Sequence, residues 1–203
     1  MAAAAPAAVA GFPDRPSQPA APAPDFAAAP SERRGAVAAE TPPAPGTARN
    51  PPPRRVLVPR AGLDARVIPV GVTDRGSMTV PGGPDVAGWY RHGPAPGSAR
   101  GPAVPAGHVD TDTGDPGEFL ALYDVRRGDR VEVRRAGDEP VRYRVVSRVT
   151  VPKDELPPSA FSRSGAPVLT LITCAPPYVP ERGGYQSNLV VTAEPVGRAQ
   201  WPT

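Results

Sequence analysis

Proline constrains this chain before any other residue does. Thirty-two of its 203 residues are proline, and each one fixes φ and removes a backbone donor. The prolines are unevenly spread. Over residues 1–53, proline and alanine fill more than half the positions, and Leu, Ile, Trp and Tyr are missing. Asp14, Asp25, Glu32 and Glu40 there cancel Arg15, Arg33, Arg34 and Arg49. A segment so poor in apolar surface does not offset the entropy of ordering it, so residues 1–53 are expected to form a disordered Ala/Pro-rich spacer. Residues 54–197 then make one compact domain, followed by a tail, 198–203. A two-domain enzyme, a repeat solenoid and a large cofactor-binding α/β fold are excluded at this stage.

The formal net charge of +3 belongs to the domain, because the spacer is neutral. It is small, and the arginines alternate with Asp and Glu, so no nucleic-acid partner is expected. Lys153 is the only lysine. Cys174 is the only cysteine, which rules out an internal disulfide and a zinc site built on cysteines. No run of about 20 apolar residues encodes a transmembrane helix. The first dozen residues are apolar but lack a basic start and are interrupted by Pro6. They read either as the remnant of a signal or anchor or as more of the tail.

From Arg54 onward the texture becomes β. Short β-branched runs cover 55–60, 65–72 and 77–80, followed by 86–90 and by 101–108, which ends at His108. Residues 118–125 are the best helix candidate. The runs 130–134 and 141–146 alternate polar and apolar residues around Ala136-Gly-Asp-Glu-Pro140, a hairpin pattern. Residues 152–167 form a Pro/Ser-rich loop. Val168–Thr173 is the most apolar strand, with Cys174 at its end, and Asn188–Ala193 closes the domain. Eight or nine short strands with little helix predict a closed or nearly closed mixed β-barrel.

His108 and Cys174 each follow an apolar strand, where a rigid scaffold places chemistry on a rim. A thiol reacts as thiolate, so it needs a base beside it, and an acyl-transfer step needs an oxyanion donor. Arg182 is the nearest downstream cation. His92 sits in a Tyr-Arg-His-Gly-Pro loop with no strand to position it and receives no role. Taken alone, a cysteine at a strand end is more often packing than nucleophile.

The wording around the two residues resembles a known family. Ala106-Gly-His-Val-Asp110 and Leu169-Thr-Leu-Ile-Thr-Cys174 are similar to the catalytic segments of sortases, in style closest to the class E/F actinobacterial group, and the resemblance spans about 54–195. It implies an eight-stranded β-barrel with one or two short helices. It also implies a cysteine transpeptidase in which Cys174 takes an LPxTG-like sorting signal as an acyl-thioester, with His108 as acid/base partner. An amine of a peptidoglycan precursor or a pilin would resolve the thioester.

The place where most sortases carry a catalytic arginine holds Asn188 here. Arg182 is the preferred replacement and Asn188 the alternative, neutral oxyanion donor. Asp110 is a candidate to orient the imidazole, and Thr173, Leu156, Ala160 and Phe161 are candidate substrate contacts. No cofactor is expected. No metal is expected either, since Asp154–Glu155 is a single acidic pair and calcium takes six or more oxygens. A monomer at the extracellular face of the membrane or in the cell wall completes the expectation. The competing reading is a catalytically weak or inactive barrel that binds a surface peptide, motivated by Asn188 and by Ala175-Pro-Pro after the thiol. An L,D-transpeptidase ranks last because its Ser-x-Gly-Cys-x-Arg wording is missing.

Overall fold

Alternation of buried and exposed residues builds the strands. The computed structural model describes residues 24–27, 50–74 and 76–197. In chain order the strands are β1 (Pro53–Val58), β2 (Leu63–Val70), β3 (Val86–Tyr90), β4 (Pro105–Ala106), β5 (Arg130–Arg135), β6 (Asp138–Pro152), β7 (Leu169–Val179) and β8 (Gly184–Pro195). β2 buries Leu63, Ala65 and Val67 and exposes Asp64, Arg66 and Ile68. β5 does the same with Val131 and Val133, as a period of two requires when one face meets a core.

The eight strands close into a barrel in the order β1-β2-β3-β4-β7-β8-β6-β5, as expected. Two pairs, β2–β3 and β4–β7, are parallel; the others are antiparallel. The barrel is filled by Val56, Leu63, Leu122, Tyr143, Leu169, Leu171, Leu189 and Val191, with Phe119 from the 3-10 helix Glu118–Asp124. A second, outer cluster of Val104, Ala106 and Ile172 lies on the opposite face of β4 and β7 and is covered by Met78, Tyr90, Leu156 and Phe161.

Several elements depart from the expectation. Residues 77–80 supply only an isolated bridge, Val72 to Met78; Val72 and Val80 are exposed, so no buried face rewards a strand there. The run 101–108 shrinks to two residues, since Pro102 and Pro105 each remove a ladder donor. β7 continues past Cys174 to Val179, which places the cysteine inside the strand. Beyond Ala175, β7 pairs only with β8, and an edge without a second neighbour tolerates Pro176 and Pro177. Tyr178 and Tyr185 then pair edge-to-face across the hairpin, their ring centroids 5.0 Å apart. β8 accordingly begins at Gly184, ahead of the expected Asn188.

Within the spacer, residues 24–27 dock on β6, with Phe26 bridged to Arg148. Main-chain pairing on an open strand edge holds them, and Phe26 is the one side chain of the four that packs against the core cluster. The rest of the spacer, including the apolar start, and the tail 198–203 lie outside the described residues. Among the described residues no helix is long and apolar enough to cross a membrane.

Gly117 shows how tightly the segment around His108 is packed. Its φ is an ordinary −88°, yet a Cβ there would collide with the His108 carbonyl. Gly117→Ala is expected to cost about 1–3 kcal/mol through this overlap with backbone, measured by urea denaturation; unchanged stability would contradict the packing described.

Candidate active site

The site begins with a short joint between β4 and β7. Ala106 pairs with Ile172, the Gly107 amide donates to the Ile172 carbonyl at 3.1 Å, and the Thr173 hydroxyl donates to the Gly107 carbonyl at 2.9 Å. His108 and Cys174 each follow two residues beyond that registered pair, so the joint brings them to the same end of neighbouring strands. Side chains alternate faces along a strand. Leu171 and Ala175 point into the barrel core and Ile172 into the outer cluster, which puts Cys174 on the outer face.

Three groups hold the neighbourhood of the thiol. The Tyr123 hydroxyl donates to the Cys174 carbonyl at 3.1 Å. The Tyr185 hydroxyl donates to Asp110. His108 Nε2 lies 2.7 Å from the Pro81 carbonyl oxygen. A carbonyl only accepts, so in this contact Nε2 carries the proton and Nδ1 is the basic atom of the neutral ring.

Asp110, expected to orient the imidazole, is instead engaged with Tyr185, and the Pro81 carbonyl is the ring's partner. Thr173, expected to touch substrate, is buried with its hydroxyl committed to Gly107. It ties the two segments together and has no free face for a ligand.

Cys174 is half-buried. Burial pushes its thiol above the ordinary value; the positive charge of Lys153 draws it down, and Asp110 pushes it further up. Burial also raises Tyr123 to about 12, with negative charge on Cys174 and Asp110 adding to the shift. Tyr185 is raised as well, first by burial and then by its bond to Asp110. Both phenols therefore stay protonated donors at neutral pH.

The two candidate oxyanion donors sit differently. Asn188 is the direct cross-strand partner of Cys174, and Val151 is the partner of Asn188 on its other side. Arg182 lies in the 3-10 turn Pro180–Arg182 at the hairpin tip and is exposed. At about 3.3 Å per strand residue, its backbone is roughly 15–20 Å along the hairpin from the thiol. Lys153, in the 3-10 turn Lys153–Glu155 directly after β6, follows Pro152, which pairs with Ser187 beside Asn188.

A groove of about 530 Å³ runs over the outer face of β6, β7 and β8. Its floor is Val149, Val151, Thr170, Val190 and Thr192, and Ala160 is among the residues of the 157–168 segment that wall it. By register the floor leads along β7 toward Cys174 and Asn188. Leu156 and Phe161 are turned to the adjoining outer cluster.

Sequence reasoning overlooked Tyr123, Tyr185 and the electrostatic part played by Lys153. The lysine's uniqueness was visible, but its nearness to the thiol was not, because it depends on β6 and β7 both pairing with β8, which no local pattern shows.

The family model for the Sortase domain matches residues 56–196. Among solved structures the chain is similar to sortase A of Listeria monocytogenes, with 20% identity over 70% of this chain and 86% of that one and a TM-score of 0.53. It is also similar to the lid mutant of sortase A from Corynebacterium diphtheriae (22%, 75% and 74%, 0.55). A third likeness is to sortase C-1 from Actinomyces oris (22%, 70% and 72%, 0.52). Likenesses at these identities establish the fold. A search of the curated proteins finds no match.

The charges around the thiol lead to opposite expectations for two variants. Alkylation of Cys174 by iodoacetamide across pH should titrate above the ordinary thiol value. Lys153→Gln should move the midpoint higher and Asp110→Asn lower. Coincident curves for the three proteins would contradict the electrostatic description.

Proposed function

The chain belongs to the sortase family, and on that premise we propose that it is a cysteine transpeptidase that cleaves an LPxTG-like sorting signal through an acyl-thioester on Cys174. The observation that supports the reading is the β4–β7 joint, which brings His108 and Cys174 to the same end of neighbouring strands with Asn188 paired opposite Cys174; by register the walled outer groove leads toward that end.

In the proposed sequence of steps, His108 takes the thiol proton as the sulfur attacks the carbonyl carbon of the signal's threonine. The electron pair of that carbonyl moves to oxygen, and the Asn188 amide donates a hydrogen bond to the resulting oxyanion. Collapse breaks the C–N bond, and His108 returns its proton to the departing amine. A second amine then attacks the thioester carbonyl, loses its proton to His108 and releases the thiolate. Lys153 favours the anionic forms of the thiol and oxyanion through its charge. The apolar part of the signal would lie over Val149, Val151 and Val190, with Ala160 on the wall. The amine acceptor is a peptidoglycan precursor or a pilin, and the work is done at the extracellular face of the membrane or in the cell wall.

A second reading, a barrel that binds a surface peptide without turning it over, draws on one observation. Burial favours the neutral thiol, and the Nε2 of His108 is engaged by the Pro81 carbonyl instead of the sulfur. Turnover separates the two readings.

Cleavage of a fluorogenic LPxTG-type peptide should be abolished in Cys174→Ala. Asn188→Ala should lower kcat by about 10²–10³, the usual cost of one oxyanion donor, while Arg182→Ala should stay within about twofold of the parent. Retained turnover in Cys174→Ala would overturn the enzyme reading. A large loss in Arg182→Ala with none in Asn188→Ala would reverse the assignment of the donor.

A further inference from the structure

The docked piece of the spacer is built like a specific peptide site. β5 covers β6 only as far as Arg144, so the later part of β6 has one open edge. Phe26 occupies it: its amide donates to the Arg148 carbonyl at 2.9 Å, and the Arg148 amide donates to the Phe26 carbonyl at 2.7 Å. The next outward amide, Thr150, donates to the Asp25 carboxylate at 2.8 Å. A side chain thus completes the ladder where a main-chain carbonyl would otherwise serve.

Charged groups close over the same segment. The Arg148 guanidinium donates to the Pro24 carbonyl at 3.1 Å, and Arg127 donates to the Ala27 carbonyl. Both guanidinium carbons lie 5.4 Å from the Phe26 ring centroid, inside the range of a cation–π contact. Asp25-Phe26 is the only acidic–aromatic dipeptide in residues 1–53, so the site selects one register of an otherwise repetitive segment.

Arg148 also faces the barrel. It is 2% exposed, and its other guanidinium nitrogen donates to the carbonyls of Tyr123 and Val125. Tyr123 in turn donates its hydroxyl to the Cys174 carbonyl. Hydrogen bonds therefore lead from Pro24 through Arg148 to the Tyr123 main chain, and from the hydroxyl of the same tyrosine to the backbone of the thiol residue.

We propose that the open edge of β6, with Arg127 and Arg148, is a docking site for an Asp-Phe peptide whose occupant is this chain's own Pro24–Ala27, and that its occupancy positions Cys174 through Arg148 and Tyr123. The occupant is intramolecular. Residues 28–52 link it to β1, and tethering by so short a chain gives a high effective concentration. Tyr123 and Arg148 are positioning residues here. The docking part stands independently of the transpeptidase reading, and the test uses no peptide substrate, so the two fail separately.

The test is hydrogen exchange and thiol alkylation on the full chain, comparing the parent with Phe26→Ala and with the milder Asp25→Asn. In Phe26→Ala the amides of Arg148 and Thr150 should exchange about tenfold faster or more, while those of Leu171 and Val190 keep their rates, as expected of a local opening. Asp25→Asn should affect Thr150 most. Alkylation of Cys174 at fixed pH should quicken in Phe26→Ala as Tyr123 is released.

Unchanged exchange at Arg148 and Thr150 in both variants would overturn the docking site. Protection that rises with chain concentration would overturn the intramolecular occupant in favour of a second copy. Faster exchange with identical alkylation would overturn the positioning of Cys174.

Discussion

Everything at the site depends on the short parallel contact between β4 and β7. β4 has only two strand residues, and the contact is completed by one backbone hydrogen bond from Gly107 and one side-chain hydrogen bond from Thr173. Small residues make it close: a Cβ on Gly107 would come 2.5 Å from the Phe119 ring. Phe119 belongs to the barrel core, so the filling of the barrel and the placement of His108 are one packing problem. Sixty-odd residues of chain are brought into register by these bonds together with the parallel Ala103–Leu169 bridge just before them, and that register decides that an imidazole and a thiol leave the sheet together.

The electrostatics around the thiol are balanced rather than strongly activating. Burial is the largest influence and favours the neutral thiol; Lys153 and Asp110 then act in opposite senses. Opposite Cys174 on β8 stands Asn188, whose amide is a donor without charge. The nearby lysine enters from the next strand over. In the proposed mechanism a hydrogen bond and a positive field come from two residues on two elements.

The barrel was legible in the sequence because its evidence is local: β5 and β6 alternate residue by residue, and turn residues punctuate each strand. The positions of His108 and Cys174 were legible for the same reason, since Gly107-His108 and Thr173-Cys174 are written next to the strands that hold them. What escaped was tertiary. Tyr123 reaches the Cys174 carbonyl across 51 positions, and Asp110 finds Tyr185 across 75; no spacing announces either meeting. β7 crosses Pro176 and Pro177 because its far edge needs no donors there, a condition set by where β4 stops. Asp25-Phe26 was hidden in low-complexity sequence because its partners, the open edge of β6 with Arg127 and Arg148, lie more than a hundred positions away, which composition does not record.

The central claim is that Cys174 forms a covalent acyl intermediate with a sorting-signal peptide. Intact-protein mass spectrometry of the full chain mixed with an LPxTG-type peptide tests it most directly. The account predicts a mass increase equal to the peptide through its threonine less one water, localised to Cys174 and removed by hydroxylamine. A spectrum showing only the unmodified chain while the peptide is being cleaved, or the same adduct on Cys174→Ala, would contradict it.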